Sequence, residues 1–75
     1  MRTYIATNRK QVFTSGYGQC IAWALEIESD ISTRIHRARG GEKYARVVAE
    51  VTPDKVVHHI SEGRLVKVGR LLKHG

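Results

Sequence analysis

The chain has 75 residues, with 13 Lys and Arg against 7 Asp and Glu, a formal net charge of +6 and a single cysteine. So short a chain is expected to form one small basic domain, residues 1–75, that buries a low fraction of its surface. Hydrophobic content of 41% with 27% charged residues belongs to a folded protein and argues against a disordered basic tail. One cysteine excludes an internal disulfide and sits best in a reducing compartment. The first ten residues carry no apolar leader, and no apolar run approaches the ~20 residues of a membrane span, so a cytoplasmic setting without integral membrane association is expected.

Thr3 to Thr7 and Gln11 to Thr14 are short segments of β-branched and aromatic character, and Asn8-Arg9-Lys10 between them fits a small hairpin. After Gly16-Tyr17-Gly18 the period changes. Cys20, Ala24, Ile27, Ile31, Ile35 and Ala38 recur at spacings of four and three, one stripe of an amphipathic helix. This predicts a helix from about residue 17 to 38, capped by Ser15, widened by Ile21, Trp23 and Leu25, and stopped by Gly40-Gly41. Glu26, Glu28 and Asp30 precede Arg34, Arg37 and Arg39, the order a helix dipole favours. Ser29-Asp30 offers the alternative of a cap on a second, shorter helix.

Tyr44 to Val51 alternates, Thr52-Pro53-Asp54-Lys55 turns into Val56 to Ile60, and Ser61-Glu62-Gly63-Arg64 turns into Leu65 to Gly69, which reads as a three-stranded meander. Four-residue turns would set Val51 opposite Val56 and Ile60 opposite Leu65. Ala45, Val47, Ala49, Val51, Val56, His58, Ile60 and Leu65 then face the helix. Tyr44, Arg46, Val48, Glu50, Val57, His59, Val66 and Val68 form the outer face. Arg64, Lys67, Arg70 and Lys73 also recur every three residues, so a basic amphipathic helix over residues 64–73 is the alternative to a last strand. The expected class is α+β: an antiparallel sheet, made of the C-terminal meander and a short N-terminal hairpin, packed on one amphipathic helix in the order ββαβββ.

The basic stretch Arg34, Arg37, Arg39, Lys43 and Arg46 favours a polyanion or an acidic protein as partner. The leading expectation is a non-enzymatic nucleic-acid-binding or regulatory module. It would contact DNA or RNA phosphates through Arg34, Arg37, Arg39, Lys43, Arg46, Arg64, Lys67 and Arg70, with Tyr44 stacking or packing on sugar. The alternative is a small protein-binding module, an inhibitor or adaptor, that offers Val48, Val57, His59, Val66 and Val68 to an acidic protein inside a basic rim. The same valines, too many for one helix to cover, predict a homodimer through the outer sheet face or an unpaired edge strand.

No cofactor, metal site or catalytic set is indicated. Cys20 lies on the buried stripe as a small core hydrophobe, and Trp23 reads as core. His58 and His59 are adjacent in a strand and point apart, while His36 and His74 are distant from them in sequence. Glu26 and Glu28, two apart on a helix, do not face each other. Gly16-Tyr17-Gly18 lacks the remaining positions of the glycine-rich phosphate-binding patterns and reads as a strand-to-helix link.

Overall fold

A computed structural model describes residues 2–39 and 42–73. In chain order the elements are β1 (Arg2–Thr7), β2 (Val12–Ser15), α1 (Tyr17–Glu26), β3 (Thr33–Arg39), β4 (Tyr44–Val51), β5 (Val57–His59), β6 (Leu65–Lys67) and α2 (Val68–Leu72). The strands pair antiparallel in the order β2-β1-β3-β4-β5, and β6 pairs with β4 as well. The α+β class and the antiparallel sheet are as expected, with two helices in place of one.

The N-terminal hairpin closes through its asparagine. Asn8 Oδ1 accepts the backbone N–H groups of Lys10 (2.9 Å) and Gln11 (3.0 Å), and Asn8 N–H donates to the Gln11 carbonyl at 3.2 Å. An asparagine that bonds its own following backbone is what fixes a turn of this kind. The turn leaves Arg9 exposed at its tip.

The long predicted helix is corrected. α1 ends at Glu26, with Ile27 already extended at φ −71° and ψ 149°. Residues 33–38, which the stripe assigned to helix, belong to β3 between β1 and β4. Three causes combine. Ser29 Oγ donates to the Ile31 carbonyl (2.8 Å) and accepts the Ile31 N–H (3.2 Å), a local turn that competes with helical bonding. Thr33 and Ile35 are β-branched and suit a pleated surface. The open edge of β1 then supplies a ladder running from Arg2–Arg39 to Thr7–Arg34. The short second helix capped by Ser29-Asp30 is likewise absent, and the predicted stop at Gly40-Gly41 lies outside the described residues.

The ends of α1 are held by side chains. Ser15, read as its cap, donates to Gln19 Oε1, which also accepts the Gly16 N–H at 3.2 Å, and Gly16 is the residue in the cap position. At the other end Lys55 Nζ donates to the carbonyls of Ala24 (3.2 Å) and Ile27, placing a cation where the helix dipole is negative. Lys55 belongs to the turn Thr52–Val56, where its φ of 68° is left-handed.

The meander is corrected too. β5 and β6 both lie on the outer edge of β4, β5 beside Ala49–Val51 and β6 beside Tyr44–Arg46. Between them Ile60 N–H donates to the Val48 carbonyl and Val47 N–H to the Arg64 carbonyl. Val51 stands opposite Val57, one residue beyond the predicted Val56. The predicted alternatives for residues 64–73 are both partly realised, a three-residue strand running into one helical turn.

A bulge divides the core. Ile35 pairs with Ala49 and His36 with Val47, so Val48 is an extra residue in β4 and the side-chain alternation changes face there. On one face Ala6, Ile35, Ala49 and Val51 pack against Cys20 and Ala24 of α1, with Phe13, Trp23, Val48 and Val57 at the margin. On the other, Ile5, Ala38 and Ala45 pack against Leu71 of α2, with Val12, Val66 and Val68 around them. The predicted single helix-facing row of β4 is therefore split, Ala45 and Val47 from Ala49 and Val51. Val56, His58 and Leu65, expected to face the helix, are exposed.

Cys20 and Ala24, four residues apart and both buried, let α1 lie close on the sheet. The Cys20 sulfur sits 3.5 Å from the Tyr4 carbonyl and 3.8 Å from that of Ser15, and burial pushes its thiol up from the ordinary value. The folded protein should therefore resist a thiol alkylating reagent at mildly alkaline pH and react fully in guanidinium chloride, as read by mass spectrometry. Rapid native labelling would show that α1 opens readily.

Candidate functional site

The face of the sheet opposite α1 carries a groove of about 900 Å³. Arg9 reaches it from the hairpin tip, Arg34 from β3, Arg64 and Lys67 from the last strand and its approach, and Arg70 from α2. No acidic residue is among its lining groups. Tyr44 and Leu65 add exposed apolar surface, and Thr7, Asn8 and Ser32 add small polar groups. The Glu50 carboxylate lies 3.6 Å from Arg34 Nε. Arg34 and Glu50 are cross-strand partners, and at this exposure the pair contributes little stability.

His36 stands in the groove wall. It is 2% exposed, and its Nδ1 lies 3.1 Å from the Ile5 carbonyl. A carbonyl only accepts, so Nδ1 carries the proton and Nε2 the lone pair. Burial first, then the positive charge of Arg34 and Arg64, lowers the imidazole below its ordinary value of 6.5. The native state thus binds a proton at His36 less readily than the unfolded chain. This contribution is fully present above pH 6.5 and is lost as pH falls through the lowered native value. Urea unfolding from neutral to mildly acidic pH should show that loss, and His36→Gln should flatten it; an unchanged slope would mean the ring titrates freely.

Of the residues predicted to touch phosphate, the structure brings together Arg34, Tyr44, Arg64, Lys67 and Arg70. Arg37, Arg39, Lys43 and Arg46 are not part of the groove. Because 33–39 is a strand, Arg34 and His36 project to one face and Arg37 and Arg39 to the other, which divides the stretch a helix would have kept on one side. Arg46, opposite Arg37 in the ladder, donates to the Gly63 carbonyl at 2.7 Å and so fastens the β5–β6 loop. Arg9 and His36 belong to the groove and were missed. A period-two reading of Thr33–Arg39 places His36 beside Arg34; no local signal marks the side to which the Asn8–Gln11 turn presents Arg9.

The predicted outer face does not gather its valines on one side: Val48 and Val57, partly buried, pack toward α1, and Val66 and Val68, partly buried, toward α2. His59 lies on the α1 side, its Nδ1 3.1 Å from the Tyr17 hydroxyl, with the Tyr17 ring also edge-on to Tyr4 at 5.2 Å. Trp23 is stacked on Phe13 at 5.2 Å, half-buried against the α1 core. His58 is exposed, and His74 lies outside the described residues. Among the described residues no three His, Cys, Asp or Glu side chains are grouped to hold a metal ion, and no helix is long and apolar enough to cross a membrane.

A second, smaller cleft of about 420 Å³ lies between the hairpin and the α1–β3 link, where Lys10, Glu28 and Asp30 bring mixed charge. Comparison of the chain with protein-family models, curated proteins and solved structures finds no match.

Proposed function

We propose that this protein binds nucleic acid without acting on it, holding phosphates in the groove formed by β3, β6, α2 and the hairpin tip. The observation that supports the reading is the convergence of Arg9, Arg34, Arg64, Lys67 and Arg70 on one concave surface whose lining holds no carboxylate. Like charges gathered from four separate parts of the chain oppose one another in the free protein and are relieved by a polyanion. Arginine forks suit phosphate oxygens, and an exposed Tyr44 beside them supplies a ring for a base or sugar to rest on.

If all five cations meet phosphates of a single strand, log K should fall with log salt at a slope of about −3.5, roughly a hundredfold loss between about 50 and 200 mM. Fluorescence anisotropy with a labelled single strand of about 12 nucleotides, DNA and RNA in turn, and with the corresponding duplex, measures it. Absence of binding at about 50 mM salt would remove the proposal.

A second reading is an acidic protein segment in the same groove, favoured by Leu65 and Leu72, exposed at 55% and 53% on the same β6–α2 segment as Lys67 and Arg70. Competition by polyglutamate at equal charge concentration separates the two: displacement without any preference for nucleic acid supports the protein partner. Self-association, proposed separately, would use an open strand edge, that of β2 or that of β5 and β6, and sedimentation at micromolar concentration reads it directly.

A further inference from the structure

His36 is almost wholly buried in the wall of the groove and yet chemically unfinished. Nδ1 is committed to the Ile5 carbonyl, whereas Nε2 has no hydrogen-bond partner among the described residues. As His36 lines the groove, Nε2 is the ring atom left to meet a ligand there.

The charged groups around it come from each element of the groove. β3 contributes Arg34, the approach to β6 Arg64, β6 itself Lys67, α2 Arg70 and the hairpin tip Arg9. β4 contributes Glu50, which is drawn to Arg34. Flanking the ring across the sheet are the uncharged Ile5 and Val47.

We propose that His36 forms the floor of a phosphate subsite, in which one phosphate group bridges Arg34 and Arg64 and accepts a hydrogen bond from Nε2 after that nitrogen takes a proton from solvent. The subsite rests on the reading of the groove as a phosphate-binding surface. Without a ligand, burial and two guanidinium groups keep the imidazole neutral. A phosphate at the same place reverses the local field, neutralises both arginines and favours the imidazolium. One proton is then taken up per phosphate seated, with no bond made or broken other than N–H. By linkage, affinity must rise as pH falls between the bound and the free value of His36.

The test follows the His36 ring by nitrogen-edited NMR in the full chain through a pH titration. It is run alone, with a 5′-hydroxyl single-stranded DNA of about 12 nucleotides, and with inorganic pyrophosphate. The expected result is a free value below 6.5 that either phosphate probe raises by about one unit or more, matched by a roughly tenfold tighter Kd on the acid side. DNA binding with a steep salt dependence and an unmoved His36 titration would overturn the subsite and leave the groove reading intact. A shift with pyrophosphate but no DNA binding would support the subsite and overturn the nucleic-acid reading. No shift with either probe overturns the subsite whatever else binds. In His36→Gln the rise in affinity on the acid side should disappear, and a rise that persists in the variant would overturn the subsite.

Discussion

Gly63→Ala should lose about 3 kcal/mol of stability, which for a chain of this size corresponds to a fall in Tm of roughly 15 °C. A Cβ at this position would lie 1.8 Å from the Val47 carbonyl oxygen and 2.7 Å from its carbon. Both are backbone atoms of β4, so no side chain can swing away, and the β5–β6 loop must lift off the sheet. That would break two contacts made there, Val47 N–H to the Arg64 carbonyl (3.1 Å) and Arg46 to the Gly63 carbonyl (2.7 Å). Gly18→Ala is the control, since its new methyl would meet nothing within 4 Å and alanine is the better helix former. Thermal melts of the two variants decide the matter: an unchanged Tm in Gly63→Ala would mean that the loop does not rest on β4. The effect reaches the groove as well, because Arg64 follows Gly63 directly and enters the groove only with the loop in place.

Arg64→Ala with Arg70→Ala should weaken single-strand binding about 25-fold at roughly 0.1 M salt, since each phosphate contact on a single strand releases about 0.7 of a counterion. Both side chains are exposed, and the backbone bond that Arg64 accepts does not depend on its guanidinium. Stability should therefore change by less than about 0.5 kcal/mol, and a binding loss is then a loss of contacts. A double variant that melts as wild type and binds as wild type would place the ligand elsewhere.

Much of the fold was legible where local chemistry and final structure agree. The hairpin around Asn8, the helix start after Gly16, the alternation of Tyr44–Val51 and the turn at Thr52–Lys55 all stand close to where the residues put them. The failures share a cause. Ile31, Ile35 and Ala38 continue a helical spacing by coincidence, while the residues between them, Thr33, Arg34 and His36, equally fit a strand; the free edge of β1 made the choice, and that is information from the other end of the chain. The bulge at Val48 was invisible for the same reason, as it exists only in relation to Ile35 and His36.

The site followed the fold. Five of the nine residues read as phosphate contacts do meet in one groove, Arg34 from β3, Arg64 and Lys67 from β6 and its approach, Arg70 from α2 and Tyr44 from β4. The helical reading had grouped Arg34 with Arg37 and Arg39, and a strand cannot keep them together. It also hid His36, which looked like an isolated histidine until β3 set it beside Arg34.

That this groove, and not the overall charge of +6, recognises the ligand is the central claim, and two double variants of equal charge test it. Arg64→Ala/Arg70→Ala and Arg37→Ala/Arg39→Ala each remove two positive charges, the first pair inside the groove and the second on strand β3 outside it. The salt slope of single-strand binding should fall by about 1.4 in the first and change little in the second, with Kd following suit. Equal losses in the two pairs would contradict the claim and make the binding a matter of net charge alone.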